Sequence, residues 1–159
     1  MQGATTLAGR LVNKFGEALA VRNGLKHIFP QPEILAEANV ASIGLPQARA
    51  QTIRLFARFV LDHNVSFEGV LNREALLQKL CGIPGFGRWT AQYVAMRALG
   101  DPDAFPSGDL GLLRGFGLRN ARELEQRAEV WRPWRAYAAV YIWTRSAGKS
   151  LLSRPRQAS

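Results

Sequence analysis

In the stretch LCGIPGFGRWTAQYVAMRALG, residues 80–100, two helical patterns meet across a turn of six residues. One helix closes at Cys81. Gly82, Ile83, Pro84, Gly85, Phe86 and Gly87 form the turn, and a new helix starts at Arg88. Glycine at positions 85 and 87 lets the backbone adopt positive φ and removes side chains that block close approach. The result is a set of outward-facing amide N–H groups at a helix N-terminus. Orphan donors and the helix dipole together make such a place hold a phosphate oxygen. It contacts backbone and carries no base specificity. Ile83 and Phe86 are the residues that fix the turn to a core. An ordinary helix-turn-helix loop closed by a glycine cap has the same outline; a basic chain with a well-formed helix on each side favours the phosphate-binding form.

Outward from the hairpin the periodicity is helical nearly everywhere. Residues 4–15 place Leu7, Ala8, Leu11, Val12 and Phe15 on one face. Pro32 opens a second helix, a place that suits proline, with Ile34, Leu35 and Ala38 inward. Pro46 opens a longer one that runs to about Asn64, with Ile53, Phe56, Ala57 and Val60 apolar. Asn72 caps a helix that reaches Cys81, and Leu76, Leu77 and Leu80 are its core stripe. Residues 88–100, a short stretch from Asp109, residues 121–130 and residues 133–147 complete the set. Trp134 and Tyr137 read as core aromatics, and Cys81 as a small buried residue at a helix end. No alternating strand pattern and no internal repeat is found. The expected fold is all-α: a compact multi-helix domain over residues 1–149 with a helix-hairpin-helix motif, followed by a basic flexible tail, residues 150–159.

Composition narrows the partners. Lys and Arg number 21 against 12 acidic residues, a formal charge of +9, which favours a polyanion: nucleic acid first, an anionic membrane surface second. The longest apolar run, residues 136–143, is too short to cross a bilayer, and the N-terminal residues lack a signal-peptide pattern. The single cysteine allows no internal disulfide and no cysteine-ligated iron-sulfur or zinc site. His27 and His63 read as surface or capping residues. No side chains are expected to hold a metal, and the setting expected is cytoplasmic and bacterial, at the nucleoid.

The segments GIPGFGRWTAQYVAMRALGDPDAFPSGDLGL, residues 82–112, and WRPWRAYAAVYIW, residues 131–143, resemble the helix-hairpin-helix (HhH-GPD) DNA glycosylase superfamily. Within it they are most similar to the DNA-3-methyladenine glycosylase II, or AlkA-type, family. Weaker similarity extends through residues 24–38 and 45–60, so nearly the whole chain is covered. The resemblance implies a base-excision repair enzyme acting on double-stranded DNA with alkylated bases. It implies no redox cofactor and no obligate protein partner, with a possible Na+ or K+ held by hairpin backbone carbonyls against a DNA phosphate.

The resemblance also puts the catalytic carboxylate at Asp109, in PSGDLGL. The chemistry agrees: cleaving an N-glycosidic bond builds positive charge on the sugar, as in glycoside hydrolysis, and a fixed carboxylate stabilises it. The start of a helix favours a negative charge, although a plain helix cap at Asp109, or at Ser107, has the same signature. Asp101 and Asp103 read as solvated turn residues. Superfamily members that also cut the strand carry a lysine two residues after the last hairpin glycine, to form a Schiff base; this chain has Trp89. The expected product is therefore an abasic site made by water. Trp89 and Tyr93 share a helix face, and the resemblance lets them line an aromatic base pocket with Trp143. A cationic alkylated purine gains about 0.5–2 kcal/mol over such a face. Arg88, Arg114, Arg119, Arg132 and Arg135 are candidates to follow the phosphate backbone.

Family members have an N-terminal β-rich domain and a further helix before the position of Met1. Their absence here leaves a non-catalytic DNA-binding module, or an inactive fragment, as the alternative to an enzyme. It also predicts an uncovered stripe on the first helix and a marginally stable or self-associating chain.

Overall fold

The computed structural model describes residues 2–20, 24, 26–63, 65 and 72–152. Among them are eight α-helices, two short 3₁₀ turns and one pair of two-residue strands, so the class is all-α. Backbone contacts divide the chain into two units. The first is residues 1–66 with the turn 82–86; the second is residues 67–81 with 87–159.

The first unit holds α1 (Gln2–Phe15), β1 (Glu17–Ala18), β2 (His27–Ile28), α2 (Pro32–Glu37), a 3₁₀ turn (Val40–Ile43) and α3 (Gln47–Asp62). β1 and β2 pair antiparallel, Glu17 opposite Ile28. Strands of two residues are too short to leave a period-two pattern, which is why the sequence shows none. The apolar stripe of α1 is covered in part within this unit: Leu11 is buried, Leu7, Val12 and Phe15 are half-buried, and Ala8 is exposed. Leu11 is buried with Leu35, Val40, Ile43, Ala50 and Ala57, and Leu7 and Phe15 pack against the same cluster. The 3₁₀ turn supplies part of this cover, and Arg10 Nη1 donates to the Ile43 carbonyl at 3.2 Å. On α2 the buried residues are Leu35 and Ala36, while Ile34 is exposed. With under two turns, α2 takes its inward face from α3 and not from a long period. His63 is the C-cap of α3 and stacks on Phe59.

The second unit holds α4 (Arg73–Cys81), α5 (Arg88–Arg97), α6 (Leu110–Gly115), α7 (Ala121–Ala128), a 3₁₀ turn (Glu129–Trp131) and α8 (Arg135–Leu152). Asn72 Oδ1 accepts the Ala75 N–H, as the cap reading requires. The core joins Ala95, Met96, Leu99, Phe105, Leu112, Leu113, Leu124, Ala136 and Ala139, with Leu76, Leu77, Phe116, Trp131 and Trp143 packed against it. α8 extends into the expected tail as far as Leu152; residues 153–159 lie outside the described residues. Among the described residues no helix is long and apolar enough to cross a membrane.

Three side chains depart from their sequence readings here. Cys81 is exposed: Leu80 is the last inward position of α4, and the next residue is rotated 100° off that stripe. Trp134 and Tyr137 are also exposed, ring edge to ring face. The inward stripe of α8 is instead Ala136, Ala139, Ile142 and Trp143, and its small residues let α8 lie close to α6. The core tryptophan of this region is Trp131, against Phe105 and Phe116.

Asp103 is not a solvated turn residue. Its carboxylate takes Arg135 Nε and Nη2 in a fork, both at 2.8 Å, and also pairs with Arg132 Nη1. Arg135 is 8% exposed, the only charged residue that is buried among the described residues. The hydrogen bond to Glu129 and the charge of Asp103 raise the Arg132 guanidinium above its ordinary pKa. Both arginines are therefore occupied within the fold. Asp103→Ala should leave a buried guanidinium without its partner and cost about 3 kcal/mol. A urea midpoint that moves by less than a surface substitution would move it shows that the pair is dispensable.

Candidate active site and phosphate-binding hairpin

The hairpin turn belongs to the first unit, and its shape is set by α3. Ile83 and Phe86 are both 8% exposed, and Phe86 stacks on Phe56 at 5.4 Å. The Thr52 hydroxyl, on α3, has one proton and two acceptors in reach, the Pro84 carbonyl at 2.9 Å and the Ala48 carbonyl of its own helix at 3.0 Å. Gly85 has φ +84°, and a Cβ there would come within 2.2 Å of Thr52 Oγ1. Glycine is thus required twice over at this position. Gly87 differs from the sequence reading. Its φ is −81° and ψ 171°, the extended conformation of an N-cap. What glycine supplies at 87 is open space, since nothing lies within 4 Å of an added Cβ. Arg88 opens α5, is mostly exposed, and pairs with Glu125 at 2.9 Å. Of the turn's carbonyls, Ile83's accepts the Phe86 N–H and Pro84's lies in reach of the Thr52 hydroxyl. Each keeps a second lone pair, so the donor set fits a monovalent cation.

The second unit brings Asp109, Trp89, Tyr93 and Trp143 together. Asp109 is the N-cap of α6, and its Oδ1 accepts the Leu112 N–H at 2.9 Å. The same Oδ1 accepts the indole N–H of Trp143 at 2.8 Å. Trp89 and Tyr93, one turn apart on α5, stack with centroids 5.6 Å apart and planes 22° from parallel. Tyr93 meets Trp143 at 6.0 Å and 51°. Trp89 and Tyr93 are 43% and 38% exposed, so their outer faces are open to a ligand.

The chain is similar to curated proteins in sequence and to solved structures in fold. The chain is 40% identical over 148 residues to the probable bifunctional transcriptional activator/DNA repair enzyme AlkA of Mycobacterium tuberculosis, taking in 90% of this chain and 30% of that protein. It matches the structure of the 3-methyladenine DNA-glycosylase from Archaeoglobus fulgidus with a TM-score of 0.81 at 23% identity, over 92% of this chain and 53% of that one. The Schizosaccharomyces pombe 3-methyladenine DNA glycosylase in complex with abasic DNA follows at 0.75 and 21% identity, over 92% and 73%. The chain is a relative of the AlkA-type helix-hairpin-helix glycosylases. It spans between 30% and 64% of the length of the relatives that it matches. No family model matches it.

Several residues that hold this AlkA-like site escape sequence reasoning. Gln92 Oε1, on α5, accepts the Phe105 N–H at 3.0 Å and fastens the segment before Asp109 to the helix that carries Trp89 and Tyr93. Gly111 leaves the room in which Asp109 and Trp143 meet. Thr52 does the same service for the hairpin turn. None carries a signal beyond its residue type, although Gln92 and Gly111 both lie inside residues 82–112, a segment already marked as informative. A double-mutant cycle tests the hairpin geometry. Gly85→Ala should cost about 2 kcal/mol or more, part from positive φ and part from Thr52. In a Thr52→Ala background the cost should fall to about 1 kcal/mol. Equal costs in both backgrounds would remove Thr52 from the account.

Proposed function

We propose that this chain carries the catalytic machinery of a monofunctional DNA glycosylase that hydrolyses the N-glycosidic bond of alkylated purines, of the 3-methyladenine and 7-methylguanine type, leaving an abasic site. The observation that carries this reading is Asp109, a carboxylate fixed by two donors through one oxygen and set beside three aromatic rings.

The flipped purine stacks on the open face of the Trp89–Tyr93 pair. Those rings already touch, so the base lies on the pair and not between its members. An N3- or N7-alkylated purine is cationic, and a cation over an aromatic face is held more tightly than a neutral base. The same charge makes it a good leaving group. As the bond from C1′ to the base nitrogen breaks, its electron pair leaves with the base and positive charge grows on the sugar. Asp109 stabilises that charge electrostatically, and water adds to C1′ and releases its proton. Trp89 occupies the place of the lysine that strand-cutting members use, so no Schiff base forms. The hairpin amides hold a DNA phosphate, with a Na+ or K+ on the turn carbonyls when one is bound. Duplex DNA with alkylated bases is the partner, which places the chain at the bacterial nucleoid.

Incubation with methylated duplex should release methylated purine. Asp109→Asn keeps an oxygen to cap α6 but lacks the charge, and should slow release by about 100-fold or more while DNA binding persists. Treated DNA should stay unbroken until alkali is added, and borohydride should trap no adduct. Unchanged release by Asp109→Asn overturns the assignment of the carboxylate; a trapped adduct overturns water as the nucleophile.

A further inference from the structure

Asp109 uses its two oxygens unequally. Both hydrogen bonds that the carboxylate accepts fall on Oδ1: the Leu112 N–H at 2.9 Å and the Trp143 indole N–H at 2.8 Å. Among the described residues Oδ2 accepts none. The Leu112 bond belongs to the helix cap and is local, three residues along the chain. The Trp143 bond spans 34 residues and comes from α8. A single cap bond leaves a side chain free to swing about it, because one acceptor atom fixes a point and not a plane. A second donor on the same atom, from a different direction, holds that point more firmly, and with the side chain anchored at its own Cβ the place of Oδ2 follows from it.

The room for this contact is made by one residue. A Cβ at Gly111 would lie 2.9 Å from Asp109 Oδ1 and 3.4 Å from both Cδ1 and Nε1 of Trp143. The first distance is shorter than real Cβ contacts, and the other two are at the near edge of ordinary contact. Even one methyl group there would have to push the carboxylate oxygen away from its place beside the indole. Trp143 meets Tyr93 at 51°, so its ring does not continue the Trp89–Tyr93 stack. Its plane is set for donating to Asp109 and not for extending the stack.

We propose that Trp143 and Gly111 are positioning residues: the indole N–H, admitted by the absent side chain at 111, pins Oδ1 so that Oδ2 is the oxygen presented to the sugar. This rests on the hydrolytic reading above. Chemistry depends steeply on such placement; a shift of about 1 Å can cost about 100-fold in rate.

The test pairs Trp143→Phe, which keeps an aromatic ring and removes the N–H, with Gly111→Ala, which keeps the N–H and removes the room. Both should lower the single-turnover rate of methylpurine release by about 10- to 100-fold, with KM for methylated duplex changed less than threefold. The double variant should be little slower than either single one, because both break the same contact. A readout independent of activity is the Trp143 indole N–H resonance in a ¹H–¹⁵N spectrum, identified by its loss in Trp143→Phe. It should move in Asp109→Ala and in Gly111→Ala more than the other three indole signals do. Should Trp143→Phe fail to fold, Gly111→Ala and the spectrum carry the test. An indole signal indifferent to both Asp109→Ala and Gly111→Ala, or Trp143→Phe releasing base at the original rate, overturns the inference. A wild-type chain that releases no methylpurine overturns the hydrolytic reading instead, and the spectrum then still decides whether the contact exists.

Discussion

Among the described residues of the second unit, Arg135 is the charged one taken out of water, and the segment leading to Asp109 is organised around it. A guanidinium at that depth is tolerated only when a matching acceptor meets it with good geometry. Asp103 does so with both oxygens, and the Pro102 carbonyl accepts the Ala136 N–H beside it at 2.9 Å. The first turn of α8 is thus pinned to the chain at residues 102–103. Eight residues of helix, about 12 Å, carry α8 from Arg135 to Trp143, where it meets Asp109. The six residues from Asp103 to Asp109 could span about 20 Å if extended. The excess is taken up by burying Ala104, Phe105 and Pro106 and by a tight turn that returns the Asp109 N–H to the Pro106 carbonyl. Two fastenings on one rigid helix give Asp109 its place without any constraint from a flexible loop.

The hairpin turn follows the same logic with neutral groups. Within the turn one amide, that of Phe86, is spent on the Ile83 carbonyl. The turn is also held from behind, by two buried apolar side chains and by a hydroxyl in reach of its Pro84 carbonyl. A glycine at positive φ lets the chain reverse where Thr52 stands closest. On the proposed reading, this support from behind leaves the other side of the turn to the phosphate.

What the sequence makes legible is local. The helices, the Asn72 and Asp109 caps and the hairpin turn are written in neighbouring residues, because capping and turn chemistry act within about four positions. The arrangement of Trp89 and Tyr93 on one face follows from helix geometry alone. What escapes is set by partners far along the chain. Asp103 looks like any acidic turn residue until Arg135, 32 positions later, is brought to it. Trp134 and Tyr137 read as core by size, yet the close approach of α6 and α8 selects Ala136 and Ala139. The role of Asp109 is legible only through the family resemblance; its second donor, Trp143, and the space at Gly111 belong to a contact that no spacing rule describes.

The distribution of charge bears on how the basic excess should be understood. A formal +9 suggests a surface crowded with free cations, but much of the arginine is committed. Arg58, Arg88, Arg127, Arg132 and Arg135 each meet an acidic partner, and Arg54 donates to the Ala36 carbonyl. Arg97, Arg114, Arg119 and Arg122 are exposed and have no ion pair among the described residues. An exposed ion pair is worth about 1 kcal/mol or less, so Arg88 can exchange Glu125 for a phosphate at small cost, whereas Arg135 cannot leave Asp103 without stranding its charge. On the proposed reading, phosphate binding draws on the unpaired arginines and on weakly paired Arg88, and each such contact contributes to a salt-dependent affinity that carries no sequence information. The buried pair contributes nothing to that affinity; its charge holds the segment that ends at Asp109.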